Sequence, residues 1–455
     1  MQPVNDRREI RGWMMYDWAN SVFSTTVYTA LLGPYLTALA QDSVGENGVV
    51  LSLGPWAVTA KSLFPFAVSA SVLGQVFLLP LLGAIADYTN LKKRLMMIFC
   101  YLGVIATALL FFVTGPSYLI GAVLFMLANI GFGGSIVLYN AYLAEITTED
   151  QRDKVSSRGF ALGYLGGGLL LLANLILVQW APSLGMSTGF AVRVSLLSAA
   201  IWWGGFAIIT FRALRTRAPV RPPPAGRSLL AIGLSEVANT FRDLRRLPHT
   251  LRFLVGYLLY NDGIQTVIGM ASVFLAQELF VARGLEVSQS FLIGLILLVQ
   301  FVAFGGAFAF EWIARSIGTK RAILLSLIIW IAVVVWAYFL QSTTEAWGLG
   351  VVIALVLGGS QALSRSLFSC MIPRSREASF FGFYEISERG TSWIGPFIFG
   401  VVVGATGSYR NAILSIVVLL VAGALVLAAT NTAQAIRDSG NTLPEEAAGA
   451  QPEPA

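Results

Sequence analysis

Apolar runs alternate with short polar connections along nearly the whole chain, and many reach the roughly 20 residues that a helix needs to cross a ~30 Å hydrocarbon core. Leu95 to Val113, Ala322 to Phe339 and Ala412 to Ala429 are clear examples. The pattern predicts twelve spans at approximately 13–40, 60–86, 94–114, 117–143, 158–181, 190–212, 250–280, 288–314, 321–341, 346–371, 378–406 and 409–434. Helices, not a barrel, do the spanning, because runs of this length satisfy their own backbone groups only as helix. Met1 to Trp13 is polar and holds no apolar core before a cleavage site, so the first span is expected to be retained.

The polar stretch between the sixth and seventh spans divides the chain into six plus six. Its boundaries are 1–212 for the first half, 213–249 for a connector, 250–437 for the second half and 438–455 for a tail. The polar stretch opens with Arg212, Arg215, Arg217 and Arg221 before Pro222-Pro223-Pro224. Leu230, Leu234, Val237, Phe241 and Leu244 then recur at steps of four and three, predicting an amphipathic helix resting on lipid headgroups. Tyr16-Asp-Trp-Ala-Asn20 opens the first span and Tyr260-Asn-Asp-Gly263 holds a similar place in the seventh. Parallel repeats of this kind place a substrate path between the halves near the midplane. The tail is rich in Pro, Ala and Glu, a composition that predicts disorder.

Composition agrees with the membrane reading, since 56% of residues are hydrophobic and 12% charged, against about 25% charged in soluble chains. The net charge of +6 does not indicate nucleic acid. Only Lys61, Arg193, Arg283 and Arg410 fall on odd-numbered connections, while nearly all other basic residues lie on the termini and even-numbered ones. That bias places both termini in the cytoplasm. Cys100 and Cys370 are expected as free thiols, and His249 is the only histidine. A histidine relay or metal cluster within the membrane is excluded, no cofactor is expected, and the absence of clustered catalytic groups argues against an enzyme.

Ionisable residues inside spans are costly, roughly 2.5–3.5 kcal/mol each near a helix centre on insertion scales, and so mark function. Here they are Asp17, Asp262, Arg365, Glu385, Glu388 and Arg389, with Asp87 and Glu311 nearer the cytoplasmic boundary. Asp17, Ser21, Ser24 and Tyr28 line one face of the first span. Asn261 with Gln265, Asp262 with Thr266, and Gln361 with Arg365 are spaced four apart on the seventh and tenth. Substrate-binding candidates are Asp17, Asn20, Ser24, Tyr139, Asn140, Asn261, Asp262, Gln265, Gln361 and Arg365. Each could instead only pair between helices, and Glu385 could pair with Arg389 on one helix. The acids outnumber the bases, which motivates proton coupling through Asp17, Asp262, Glu385 or Glu388. Gly159, Gly163 and Gly167 give the fifth span a smooth face for close approach.

Gly83-Ala-Ile-Ala-Asp87-Tyr-Thr-Asn-Leu-Lys92-Lys93-Arg94 lies between the second and third spans. It resembles the gate loop of the major facilitator superfamily, which implies an all-α fold of twelve transmembrane helices in two six-helix halves. In that fold the first, fourth, seventh and tenth helices line the cavity. Tyr139-Asn-Ala-Tyr-Leu143, Ser156 to Gly168, Tyr260 to Thr266, Gln361 to Ser366, Phe380 to Tyr384, Gly395 to Gly400 and Gly407 to Arg410 extend the likeness. Together they resemble the vacuole-effluxer-like family, whose fungal member implies amino acids leaving an acidic compartment. The resemblance implies a secondary transporter working by alternating access, read here as carrying a small polar solute, with the direction open. Proton coupling rests on the excess of acids, and a monomer in the lipid bilayer of a bacterial inner membrane is expected. A lysolipid or drug transporter of the same fold and a non-transporting sensor remain alternatives.

The gate is assigned to Gly83, Asp87, Lys92 and Arg94, with Asp87 expected near the start of the eleventh helix, where exposed amides favour an anion. The second copy departs from the pattern. Glu311 stands where the family has Gly and Arg315 where it has Asp, so the two are expected to pair with each other.

Overall fold

The computed structural model describes residues 4–45, 48–53, 56–60, 63–217, 229–285, 288–374, 376–385, 394–406 and 408–449. Among these, eleven helices are long and apolar enough to cross a membrane. They are Arg7–Val44, Leu63–Tyr88, Lys92–Phe112, Gly115–Ile146, Glu149–Trp180, Thr188–Ala213, Pro248–Phe280, Phe291–Ile317, Thr319–Tyr338, Thr343–Cys370 and Tyr409–Ala429. These occupy positions one to ten and twelve of the sequence map. At position eleven stand two shorter helices, Glu377–Glu385 and Ile394–Thr406. Glu388 and Arg389 fall between them, outside the described residues, so the pairing expected of Glu385 with Arg389 does too.

The first span begins earlier than its apolar run, because Asp6 caps it by accepting from Arg8 N at 2.8 Å and Glu9 N at 3.4 Å. Those backbone hydrogen bonds, Arg8 N first, favour the charged carboxyl and hold Asp6 below its ordinary range. Further along, Phe23–Leu31 winds as π-helix. The hydroxyls of Ser24, Thr25 and Thr29 return to the carbonyls of Ser21, Ser21 and Ser24 at 2.9, 3.0 and 2.7 Å. Wide turns of this kind occur frequently at functional sites. The seventh span has a shorter π-helical turn at its end, Ala276–Phe280.

Packing follows the repeat. The first span packs on the fifth and sixth, the second on the fourth, and the third on the fourth and sixth. In the second half the seventh packs on the twelfth, the eighth on the tenth, and the ninth on the tenth and twelfth. Across the halves the second meets the start of the eleventh and the fifth meets the eighth, which are counterparts under the same twofold relation.

The glycine face of the fifth span is the contact surface for the polar stripe of the first. A Cβ at Gly159 would lie 2.5 Å from Asp17 Oδ2, one at Gly163 2.5 Å from Ser21 Oγ, and one at Gly167 2.9 Å from Thr25 Cγ2. Small residues here let a polar helix approach without a gap.

Three features add detail to the sequence reading. The first connection carries a short antiparallel hairpin, Val49–Leu53 with Trp56–Thr59, outside the helical spans. The connector helix, Leu229–Arg246, docks on the protein through Glu236, Thr240 and Leu244, all buried, and leaves Leu234 and Phe241 of its apolar stripe exposed. The tail is helical at Pro444–Gly449, and before it Asn441 Nδ2 donates to Cys370 O at 2.9 Å and Ile372 O at 2.7 Å. These are carbonyls at the C-terminal end of the tenth span, which need donors from outside the helix. Residues 450–455 of the tail are outside the described residues.

Gly163→Leu should destabilise by overpacking, about 1–3 kcal/mol, read as a lower melting temperature of the purified protein. Gly205→Leu, on a surface with nothing within 4 Å, should leave it unchanged. Equal melting of the two variants would contradict this packing.

Candidate functional site

Arg365, three per cent exposed, projects from the tenth span into a ring of first-half acceptors. Its Nε donates to Ser156 Oγ at 2.9 Å, Nη1 to Asn140 Oδ1 at 3.3 Å, and Nη2 to Ser156 O at 3.0 Å and Asp17 Oδ2 at 3.3 Å. Tyr139 donates its hydroxyl to the same Asp17 oxygen at 2.7 Å. Asn140 Nδ2 passes the network on to Glu385 Oε1 at 2.7 Å. Aromatic rings complete the cage, with the guanidinium carbon 4.2 Å from the Phe160 centroid, 4.9 Å from Trp13 and 5.6 Å from Tyr139. Such rings stabilise a desolvated cation through their quadrupoles. Trp13 is itself fixed, stacked on Tyr139 at 4.3 Å and donating Nε1 to Tyr139 O at 2.8 Å.

This network forms the floor of a cavity of about 1240 Å³ between the halves. Asp17, Asn20, Ser24, Asn140, Gln265, Gln361 and Arg365 line it; Tyr139, Asn261 and Asp262 do not. Tyr139 stands one layer behind, orienting Asp17. Asp262 is one per cent exposed and accepts from Gly395 N at 2.7 Å through Oδ2, while its Oδ1 has no hydrogen-bond partner among the described residues. Gln361 accepts from Tyr164 OH at 2.9 Å across the halves. Asn20 Nδ2 is buried without a hydrogen-bond partner among the described residues. The upper walls are apolar, built from Phe64, Phe274, Leu292, Leu295 and Leu349. They lie toward the odd-numbered connections, so the cavity opens away from the two termini.

Sequence reasoning missed Ser156, Phe160 and Tyr164 as parts of this floor. Phe160 and Tyr164 stand four apart on the fifth span, beside the glycine face, and that spacing was the available signal. It also missed Gln75, buried on the second span close to the Ser71–Asn129 hydrogen bond of 2.8 Å, with neither side-chain polar atom hydrogen-bonded among the described residues.

The end bearing the termini is closed. Asp87 accepts from Ala378 N at 3.0 Å and Ser379 N at 2.7 Å, at the start of Glu377–Glu385. Lys92 lies 3.5 Å from Asp87 Oδ1 and also pairs with Glu145, tying the loop to the fourth span. A Cβ at Gly83 would come within 2.1 Å of Ala378 O, so only glycine permits the approach. Arg94 is exposed on the surface. In the second copy Glu311 pairs with Arg315 on its own helix and reaches Arg158 of the first half at 3.6 Å. Arg152 adds a bond across the halves, Nη1 to Ser369 O at 2.8 Å.

The connector helix covers this closure. Arg376, just before the eleventh segment, meets its Glu236 at 2.5 Å, its Thr240 Oγ1 at 2.7 Å, and Asp243. Tyr88, one residue beyond Asp87, donates to Glu236 Oε2 at 2.9 Å. One buried glutamate thus joins the two halves beside the Asp87 contact.

The profile of the family described as "Vacuole effluxer Atg22 like" matches residues 5–440. The chain belongs to that family. It is a multi-pass membrane transporter of the major facilitator type, not an enzyme. Among relatives of this Atg22-like chain, YxiO of Bacillus subtilis (strain 168), called an uncharacterized MFS-type transporter, is 30% identical and covers 96% of this chain and 98% of its own. Autophagy-related protein 22 of Coccidioides immitis (strain RS) is 25% identical, covering 91% of this chain and 85% of its own. The fold is shared with FucP in its outward conformation, at a TM-score of 0.66 and 12% identity, over 93% of this chain and 98% of that one. The human organic anion transporter MFSD10 aligns at a TM-score of 0.67 and 14% identity, over 94% and 100%.

Asp87→Asn and Glu236→Gln should each loosen the closed end. With a cysteine placed at Ser69 on the cavity wall, both substitutions should slow labelling by a membrane-impermeant thiol reagent as the cavity spends less time open. Labelling at the wild-type rate would show that these contacts do not hold the end shut.

Proposed function

We propose that the protein carries a zwitterionic amino acid with a bulky apolar side chain across a bacterial inner membrane by alternating access, with both termini cytoplasmic. The observation that carries this reading is the guanidinium of Arg365 at the floor of an interhalf cavity, paired with Asp17 and surrounded by aromatic rings. A substrate carboxylate can share the fork of Arg365, and the ammonium can take the side of Asp17, leaving the local charge balanced. The apolar walls above suit an aliphatic or aromatic side chain. The name "vacuole effluxer" of the family supports movement of a solute out of a compartment. The state described is then outward-facing. A single chain encloses the whole path, which supports a monomeric carrier.

Protons are the proposed coupling ion, with Asp262 the carrier. It is a buried acid on the seventh span with one oxygen free of hydrogen-bond donors and no ion-pair partner among the described residues. It lies off the cavity wall, so it can exchange a proton without contacting substrate. Glu385, held by Asn140, links the floor network to the eleventh segment and is the second candidate.

The apolar walls also favour one competing ligand, a lysolipid, and the same assay separates the two. Purified protein should melt higher with leucine or phenylalanine, because a ligand that binds only the folded state stabilises it. Neither the decarboxylated amine nor a lysolipid should do so. Arg365→Lys should weaken amino-acid binding about 30-fold or more, since an ammonium cannot reproduce the bidentate, stacked guanidinium. Stabilisation by lysolipid alone would overturn the amino-acid reading.

Asp262→Asn should keep substrate exchange in proteoliposomes but lose accumulation driven by a pH gradient. Accumulation at the wild-type level would remove Asp262 from the coupling step.

A further inference from the structure

Two grooves open on the outer surface at related places in the two halves. One, of about 490 Å³, lies between the start of the first span and the end of the sixth, with Arg7, Arg8, Arg11 and Arg212 above Met15 and Ile209. The other, of about 680 Å³, lies between the start of the seventh span and the end of the twelfth, with Arg245 and Arg252 above Val255 and Leu425. The repeat that relates the halves exchanges these two positions. Their floors face outward from the bundle, for Ile209 and Val255 are 44% exposed and Leu425 65%.

The arginines at the mouths are not consumed by the protein. Of the acids nearest the first groove, Asp6 pairs with Arg215, and buried Glu9 pairs with Arg217 at 2.8 Å. Among the described residues, none of the six guanidinium groups has an ion-pair partner, and Arg245 is steadied at 4.5 Å over Phe241. Guanidinium clusters bind phosphate through parallel hydrogen bonds. Basic pockets between membrane helices are suited to anionic lipid headgroups.

We propose that each groove seats one anionic phospholipid, its phosphate on the arginines and an acyl chain along the apolar floor, with the four-arginine groove the tighter. In the first groove the arginines converge from both ends of a six-helix half. In the second, Arg245 of the connector helix and Arg252 of the seventh span meet over an apolar floor from the twelfth, which distinguishes these grooves from a diffuse positive surface. The apolar floor calls for a lipid and not a free phosphate. A lipid in the first groove ties the start of the helix that carries Asp17 to the end of the sixth, and so steadies the first half as one body.

Native mass spectrometry of the full chain in neutral detergent tests this with phosphatidylglycerol, phosphatidylcholine of the same chains, and soluble glycerol phosphate. Up to two phosphatidylglycerol molecules should be retained, at least about fivefold more strongly than phosphatidylcholine, and glycerol phosphate should not compete. The triple variant R8Q/R11Q/R212Q should lose the tighter copy and keep the other. Arg252→Gln, in the other groove and read on its own, should lose the weaker copy. Equal retention of phosphatidylcholine, displacement by glycerol phosphate, or two copies kept in either variant would overturn the proposal.

Discussion

Arg365 is carried by the second half of the chain, yet its guanidinium hydrogen bonds are accepted by Asp17, Asn140 and Ser156, all from the first. A cation taken out of water costs several kcal/mol even after relaxation, and only a fitted set of acceptors offsets it. The surrounding architecture supplies that set. Gly159 and Gly163 admit the first span close enough for Asp17 to reach the tenth. Trp13 locks Tyr139, which fixes the Asp17 carboxylate, and Phe160 covers the open face of the guanidinium. Removing Asp17, Asn140 or Ser156 leaves the buried charge short of an acceptor, and the glycines and rings hold those acceptors in place, so the floor behaves as a unit.

The closure at the terminal end obeys a different logic. Asp87 engages backbone amides at the start of a helix, groups that have no partner inside that helix and attract an anion. No second side chain has to be ordered, and the contact forms whenever the two backbones approach. Gly83 sets how near that is. The second copy, with Glu311 shared between Arg315 and a half-exposed Arg158, offers solvent a competing role, and exposed ion pairs contribute little. The two latches are therefore unequal, and the connector helix reinforces the stronger one through Glu236.

Much of this was legible in the sequence where local spacing encodes geometry. The intramembrane polar residues of the first and tenth spans converge on one cavity, and the Asp87 segment meets the start of the eleventh. What was not legible depends on partners distant in sequence. The apolar stripe of the connector drew attention, but Glu236, Thr240 and Asp243 on its other face decide the docking, and their partner Arg376 lies far along the chain. Asp262 sits behind the wall because Gly395 draws it there, a contact that no periodicity announces. The π-helical turn of the first span has no compositional signature beyond a run of Ser and Thr able to return hydrogen bonds to the backbone, and Ala276–Phe280 of the seventh lacks even that.

The position of Arg365 also constrains how an empty carrier behaves under the proposed cycle. Rocking the halves to open the terminal end separates the tenth span from the first, fourth and fifth, and so withdraws Asp17, Asn140 and Ser156 from the guanidinium together. An unpaired buried charge costs about 3–5 kcal/mol, enough to make the empty transition rare. A substrate carboxylate that has already taken its place on Arg365 removes that penalty, because the cation keeps a partner throughout the movement. Differential stabilisation of this kind is the only way a ligand shifts a conformational equilibrium. The pair that binds the substrate is thus the pair that would prevent movement without it, and no separate sensing element is needed to couple the two.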